Sequence, residues 1–285
     1  MKMTKSNQSI QTKRRLSILS SNPVMRRLDS VEETGEANCA TYSGITAKTL
    51  YFILFSIAGI IVRLVTATNL ATGQTFTINY KGFEISLYQS EAFMLLGVTI
   101  GAIVFQLLAF FIKSSTPVTG ALYCVTQGYI ISFLVFKVLG TYHLEYLGAL
   151  ALAITILIIM VMVTLYSTGL IRVTKKFRMV MLTLFVTVIA SSAASFIGYF
   201  IPFTRPLVQA IQQNFAFSVV VGVIFIIIAA LFLISDFATI DHVVNDRLPK
   251  KYEWQAAFGL SFTVIWLYLK VLDLIITIAG KDNKS

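Results

Sequence analysis

Four ionisable residues stand within or at the edge of long apolar runs of the sequence: Arg63, Asp236, Lys270 and Asp273. Insertion scales assign such a residue an unfavourable free energy of about 2.5–3.5 kcal/mol at the centre of a bilayer. Charged residues within the membrane are therefore rare and often mark ion or proton pathways. In WLYLKVLDLIITIAG, Asp273 follows Lys270 by three residues, which places both on one helix face at ion-pair distance. The pair is either structural or part of a polar interior path, and the mid-span position of Lys270 favours the path.

The other two charges have competing explanations. Arg63 lies five residues from the end of its apolar run, so its long side chain can reach the bilayer surface instead of serving a function. Asp236 ends the run FIIIAALFLISD, and it either marks the end of a membrane span or begins a functional segment with DFATID.

The sequence contains no phosphate-binding loop, zinc-protease motif, paired CxxC or nucleophile elbow. Its two histidines, His143 and His242, each stand alone near predicted loops. We therefore expect no enzymatic activity, no cofactor and no metal site. Gly97 and Gly101 form a GxxxG pattern, which we interpret as close helix packing.

The elements that must position these charges are membrane helices. The chain is 56% hydrophobic and 13% charged, whereas a soluble protein usually carries about 25% charged residues. Its apolar runs can each cross a hydrocarbon core about 30 Å thick, and only helices satisfy the backbone there. We predict an all-α integral membrane protein, a bundle of seven transmembrane helices at about 49–68, 92–112, 118–138, 146–166, 179–201, 215–236 and 254–279.

The distribution of basic residues predicts the orientation. Most of the 23 lysines and arginines fall in the N-terminal segment and in the loops after the second, fourth and sixth spans. The positive-inside rule then places the N-terminus in the cytoplasm and the C-terminus outside. We predict a basic, largely disordered cytoplasmic tail (1–46), a membrane domain (47–280) and a short polar tail (281–285). The expected partner is the lipid bilayer, and the net charge of +10 gives no reason to expect nucleic acid.

The loop between the first two spans alternates apolar and polar residues. Its sequence NLATGQTFTINYKGFEISLY is typical of a short β-hairpin, to which the pattern alone assigns no function.

Several motifs carry a resemblance to a known family. SSNPVMRRL, TYSGITAKTLYFIL, LYSTGLIRVTKKFR and PKKYEWQAAFGL resemble a bacterial branch of the Bax inhibitor-1/YccA-like family, over residues of about 17 to 279. The resemblance implies a seven-helix bundle in the cell (plasma) membrane, with a central helix wrapped by the others. It also implies a calcium leak regulated by pH, in which two carboxylates on the sixth and seventh helices share a proton.

The chain departs from the family pattern at several acidic positions. Asp236 matches the acid of the sixth helix, but Lys270 stands where the family reads LYLE or LYLD. Gln127 replaces a glutamate in the third span, and Ala238 replaces the second acid of DFDxIE, whereas Asp241 keeps the last. An Asp–Lys pair has no proton to share near neutral pH, and a lysine on the path repels calcium.

Two functions remain open. The chain either permits a leak of calcium ions or protons with an altered pH response, or is a non-conducting regulator or scaffold that binds other membrane proteins, such as a membrane protease. In the first case, Asp236 is the surviving sensor acid, Lys270 its substituted partner and Asp273 a replacement acid. Lys270 is expected to pair with Asp236 or with Asp273, and the second choice leaves Asp236 to Arg63 or to water.

Overall fold

The computed structural model describes residues 39–282, except 68, 70, 172, 202, 205, 207–209 and 211–213. The side chains at 185, 188, 189, 191–200 and 282 are also outside this description. Most of the predicted N-terminal tail, residues 1–38, and the last residues 283–285 therefore lie outside the described part of the chain.

Helices form most of the described chain. The long helices are α1 (Tyr42–Thr66), α2 (Gln89–Phe111), α3 (Thr116–Ser132), α4 (Tyr146–Ser167), α5 (Lys175–Phe200), α6 (Phe215–Asn245) and α7 (Glu253–Asp282). A π-helical stretch, Phe133–Leu139, and a 3₁₀ turn, Gly140–Tyr142, continue α3, and a second 3₁₀ turn, Lys250–Tyr252, precedes α7. Two antiparallel strands, β1 (Thr75–Tyr80) and β2 (Phe83–Tyr88), form the hairpin predicted between the first two spans.

Six helices of the described chain are long and apolar enough to cross a membrane: α1, α2, α3 with its continuation, α4, α6 and α7. This confirms a helical, multi-pass membrane protein. The fifth predicted span, 179–201, falls largely in α5, which is not among the six. The count of seven spans and the sides of the two termini therefore stay predictions.

Two helix boundaries differ from the prediction. α1 begins at Tyr42 rather than near residue 49, because the Thr41 side chain caps it by accepting the Gly44 amide N–H. α6 does not end at Asp236 but continues for nine residues to Asn245. Ser235, Asp236 and Thr239 are buried inside the bundle, so their polarity marks an interior face and not the end of the helix.

α7 packs against α1, α3, α4 and α6, which makes it the central helix of the described bundle. Phe258 on α7 lies at the middle of an aromatic cluster, with ring centroids 5.6 Å from Phe52, 5.6 Å from Phe110 and 5.7 Å from Tyr123. These rings meet edge to face, the arrangement that aromatic pairs prefer. The cluster joins α1, α2 and α3 to the central helix.

α1 and α3 cross in direct backbone contact. A Cβ atom added at Gly128 would lie 1.8 Å from the carbonyl oxygen of Ser56, and one at Gly59 would lie 2.1 Å from that of Val125. Glycines at these two positions therefore allow α1 and α3 to approach this closely. The interpretation of the GxxxG pattern is wrong for Gly97, where an added Cβ would meet no atom within 4 Å.

We expect Gly128→Ala to destabilise the fold, because its methyl group must push α1 away from α3. Overpacking of this kind typically costs about 1–3 kcal/mol. Thermal unfolding of the purified protein in detergent should show a lower Tm. Gly97→Ala is the matched control, since it adds the same methyl group in open space within a helix, and its Tm should be unchanged or slightly higher.

Candidate functional site

Contacts across the bundle define two ends. At one end, which we call the hairpin end, the β-hairpin contacts the last turns of α7 through Lys81 and Thr277. At the other, the Pro249 end, Cys39 forms a β-bridge with Pro249, and the Ala40 amide donates to the Leu248 carbonyl at 2.7 Å. The positive-inside prediction makes the hairpin end the outer one.

Asp236 is fully buried on α6 and faces α7. The Thr263 hydroxyl donates a hydrogen bond of 2.5 Å to its carboxylate. A buried carboxylate is expensive unless hydrogen bonds or cations compensate it, so this contact helps to hold the two helices in register. The residue predicted as the surviving sensor acid is thus an interior polar site between α6 and α7.

Lys270 lies two turns further along α7, about 10 Å from the level of Thr263. Its ammonium lies 4.8 Å from the ring centroid of Phe225 on α6, in a cation–π contact. No ion pair joins Lys270 to an acid in the described part of the chain. The predicted pair with Asp236 is wrong, because the antiparallel register of α6 and α7 sets Thr263 opposite Asp236 and Phe225 opposite Lys270.

Asp273 pairs with the hairpin rather than with Lys270. The Lys81 ammonium forms an ion pair with the Asp273 carboxylate and donates to the Thr277 hydroxyl at 2.8 Å. The Tyr80 hydroxyl donates to the same carboxylate at 3.2 Å. We call Tyr80, Lys81, Asp273 and Thr277 the clasp. Because the clasp occupies Asp273, the intrahelical pair predicted from the sequence does not form.

The hairpin is built to bring its turn onto α7. Lys81 and Gly82 form a two-residue turn with φ of 53° and 98°, the left-handed backbone that tight hairpins require. Phe83, Ile85 and Leu87 alternate as buried residues and anchor one face of β2. A Cβ atom at Gly280 would lie 1.9 Å from the Lys81 carbonyl oxygen, so only glycine lets the turn rest on α7.

Arg63 forms a buried ion pair with an acid that the sequence analysis did not select. Its Nη2 atom lies 3.0 Å from Oε1 of Glu91, and Nζ of Lys137 lies 3.2 Å from Oε2 of the same carboxylate. Arg63 is only 5% exposed, so it neither reaches the surface nor pairs with Asp236 as predicted. Glu91 was missed because its predicted span began at residue 92. Its position at the start of an apolar run was the available signal.

The remaining predicted positions lie elsewhere. At the Pro249 end, Asp241 on α6 accepts hydrogen bonds from the hydroxyls of Tyr42, at 2.9 Å, and Tyr166, so it joins α6 to α1 and α4. Gln127 is half-buried on α3, beside the α1–α3 crossing at Gly128. Neither of these side chains contacts the clasp.

The structure thus separates residues that the sequence analysis grouped into one gate. Asp236, Lys270 and Asp273 have different partners at successive levels of the α6–α7 interface, and the last of them closes onto the hairpin. In the described chain, no group of three histidine, cysteine or acidic side chains is placed to hold a metal ion. Chemically, the arrangement offers two acids and a lysine at successive levels of the α6–α7 interface, and a partly exposed ion pair between Asp273 and the hairpin.

Removing the acid of the clasp should loosen the hairpin without unfolding the bundle. We expect Asp273→Asn to increase amide hydrogen exchange across β1 and β2, because Lys81 loses its charged acceptor. The loss should be about 1 kcal/mol or less, since both side chains are partly exposed. Hydrogen-exchange mass spectrometry measures it. Glu84→Gln, which changes an exposed hairpin carboxylate, is the control, and equal exchange in native and Asp273→Asn protein would contradict the clasp.

Comparison with known proteins gives one match. The sequence model of the family described as Bax inhibitor 1 like matches residues 22–280, nearly the whole chain. No curated protein matches. No solved structure matches either.

Proposed function

The chain belongs to the Bax inhibitor 1-like family, as its motifs predicted, and we propose that it permits a cation leak, calcium foremost, across the plasma membrane under the control of the clasp. The observation that carries this proposal is the contact between Lys81 of the hairpin and Asp273 of the central helix. It places the turn of the hairpin on the helix that holds Lys270 at the family's acid position.

Asp273 has two lysines near it, Lys81 of the hairpin and Lys270 on its own helix. While Lys81 holds Asp273, Lys270 forms no ion pair with an acid of the described chain, and its charge repels cations along the α6–α7 interface. At 4 Å, two unit charges interact by about 4 kcal/mol at an effective dielectric constant of 20, which is enough to block entry. When the Lys81 side chain leaves Asp273, the carboxylate is three residues from Lys270 and can neutralise it. The path is then open to cations.

The proposed mechanism alters the response to pH. Two carboxylates that share a proton titrate as a coupled pair. Here a threonine hydroxyl faces Asp236, and a hydroxyl does not titrate near neutral pH. We therefore expect the leak to depend on the hairpin more than on pH between about 6 and 8.

Calcium flux into liposomes that carry the purified protein tests the switch. We expect Lys81→Gln to raise the flux several-fold, because Asp273 is released to neutralise Lys270. Asp273→Asn should stay closed, although it breaks the same contact, because Lys270 keeps its charge. Lys270→Glu, which restores an acid at the family position, should also raise the flux. Glu84→Gln should behave as the native protein.

Two results would contradict the leak under clasp control. If Lys81→Gln and Asp273→Asn change the flux equally, the clasp does not act through Lys270. If the native protein and all the variants are folded but show no flux between about pH 6 and pH 8, the proposed leak is wrong for this chain.

The second candidate is a non-conducting regulator or scaffold that binds other membrane proteins, such as a membrane protease. The specific observation in its favour is the accumulation of positive charge toward the hairpin end, where Arg63, Lys81, Lys137 and Lys270 lie on or between the helices. This positive charge opposes the entry of cations whether or not Lys81 contacts Asp273.

Deletion of residues 1–38 separates the two candidates, because it leaves the clasp and α7 untouched. We expect the deleted protein to keep the flux response to Lys81→Gln. A regulator that binds partners through its tail should instead lose them, as measured by co-purification of membrane proteins after crosslinking. A lost flux response in a deleted protein of native Tm would count against the leak.

A further inference from the structure

A cleft of about 370 Å³ lies at the hairpin end between α1, the start of α2 and the continuation of α3. Arg63, Glu91 and Lys137 supply its charged wall, and Leu64 and Phe136 belong to its apolar wall. It shares no residue with the clasp.

The charged wall carries more positive than negative charge. Arg63 and Lys137 contact opposite oxygens of the single Glu91 carboxylate, at 3.0 and 3.2 Å. The Tyr88 amide also donates to that carboxylate, at 3.3 Å. One cation suffices to neutralise Glu91, so the group has a surplus of one positive charge. A guanidinium has five N–H donors and an ammonium three, which leaves donors available beyond those that Glu91 accepts.

The second cation of the cleft lies in a segment with an unusual backbone conformation. Lys137 lies in the π-helical stretch Phe133–Leu139, and such stretches are rare and often found at functional sites. The neighbouring residues Phe136 and Lys137 both line the cleft. A purely structural ion pair between Arg63 and Glu91 would need neither the π-helical stretch nor the added lysine.

The apolar wall indicates what kind of molecule fits. Leu64 is 45% exposed and Phe136 is 48% exposed, and both adjoin the charged group near the ends of their spans. Span ends lie at the level of lipid headgroups. The cleft therefore combines a cationic group with an apolar surface at the depth where a phosphate and the first part of an acyl chain meet.

We propose that this cleft binds the phosphate group of an anionic ligand, with Arg63 and Lys137 as donors and Glu91 as the residue that orients them. Bidentate and charge-assisted hydrogen bonds from arginine and lysine are the usual means of holding phosphate. A phospholipid and free inorganic phosphate carry the same group, and the experiment separates these two sources.

Native mass spectrometry of the full-length protein in detergent measures binding of added phosphatidylglycerol, with phosphatidylcholine as the zwitterionic comparison. We expect the native protein to prefer phosphatidylglycerol. Lys137→Gln should weaken that binding roughly tenfold through loss of a charge-assisted contact. Lys137→Arg should retain it. Lys281→Gln is the matched control, because Lys281 is a lysine near the same end of the bundle that contacts the Phe215 ring outside the cleft.

A second variant keeps the test independent of Lys137. Ala67→Glu adds a carboxylate to the cleft lining and should reduce phosphatidylglycerol binding with both cations in place. If millimolar inorganic phosphate displaces the lipid, free phosphate is a ligand of the cleft; if it does not, the lipid headgroup is.

The proposal is overturned if the native protein binds neither phosphatidylglycerol nor inorganic phosphate. It is also overturned if Lys137→Gln binds phosphatidylglycerol as the native protein does, or if Lys281→Gln loses as much binding as Lys137→Gln. Thermal unfolding of each variant in detergent verifies that a loss of binding is not a loss of fold.

Discussion

The cost of holding charge away from water is the constraint on which the arrangement of this bundle depends. An ionised group in a low-dielectric interior needs a partner, and here the partners come from other segments of the chain. The Arg63–Glu91 pair joins α1 to α2, and the buried Glu253 at the start of α7 pairs with Lys48 of α1. Each such contact is satisfied in one register of the helices, so it fixes positions that apolar packing alone leaves degenerate.

The helices and the hairpin could be predicted from the sequence because their signals are local. Apolar length marks the spans, and alternation in TFTINYKGFEISLY marks the two strands. The end of α6 has no such local signal. Hydropathy cannot distinguish a polar residue at the end of a span from one that faces the interior, as Asp236 does. Likewise, a GxxxG pattern does not tell whether another helix packs against it. The close helix crossing is instead at Gly59 and Gly128.

The partners of the candidate site could not be predicted, because they depend on tertiary structure. Asp273 is three residues from Lys270, yet it pairs with Lys81, which is 192 residues away and reaches it only once the hairpin has folded. Glu91 lies just before the predicted second span, and its two cationic partners come from α1 and from the continuation of α3. The family resemblance identified Asp236 and Lys270 as the positions of interest, but the register of α6 and α7 decides that they do not meet.

Burial decides which of the two ion-pair groups at the hairpin end can move. Arg63 and Glu91 are each about 6% exposed, and removing one partner of so buried a pair typically costs about 3–5 kcal/mol. Lys81 and Asp273 are 27% and 34% exposed, so water screens them and the pair contributes about 1 kcal/mol or less. Thermal motion can open a contact of that strength, whereas the buried pair stays closed in the folded protein. The Lys81–Asp273 contact is therefore the one suited to switching, and the Arg63–Glu91 pair is the fixed support beside it.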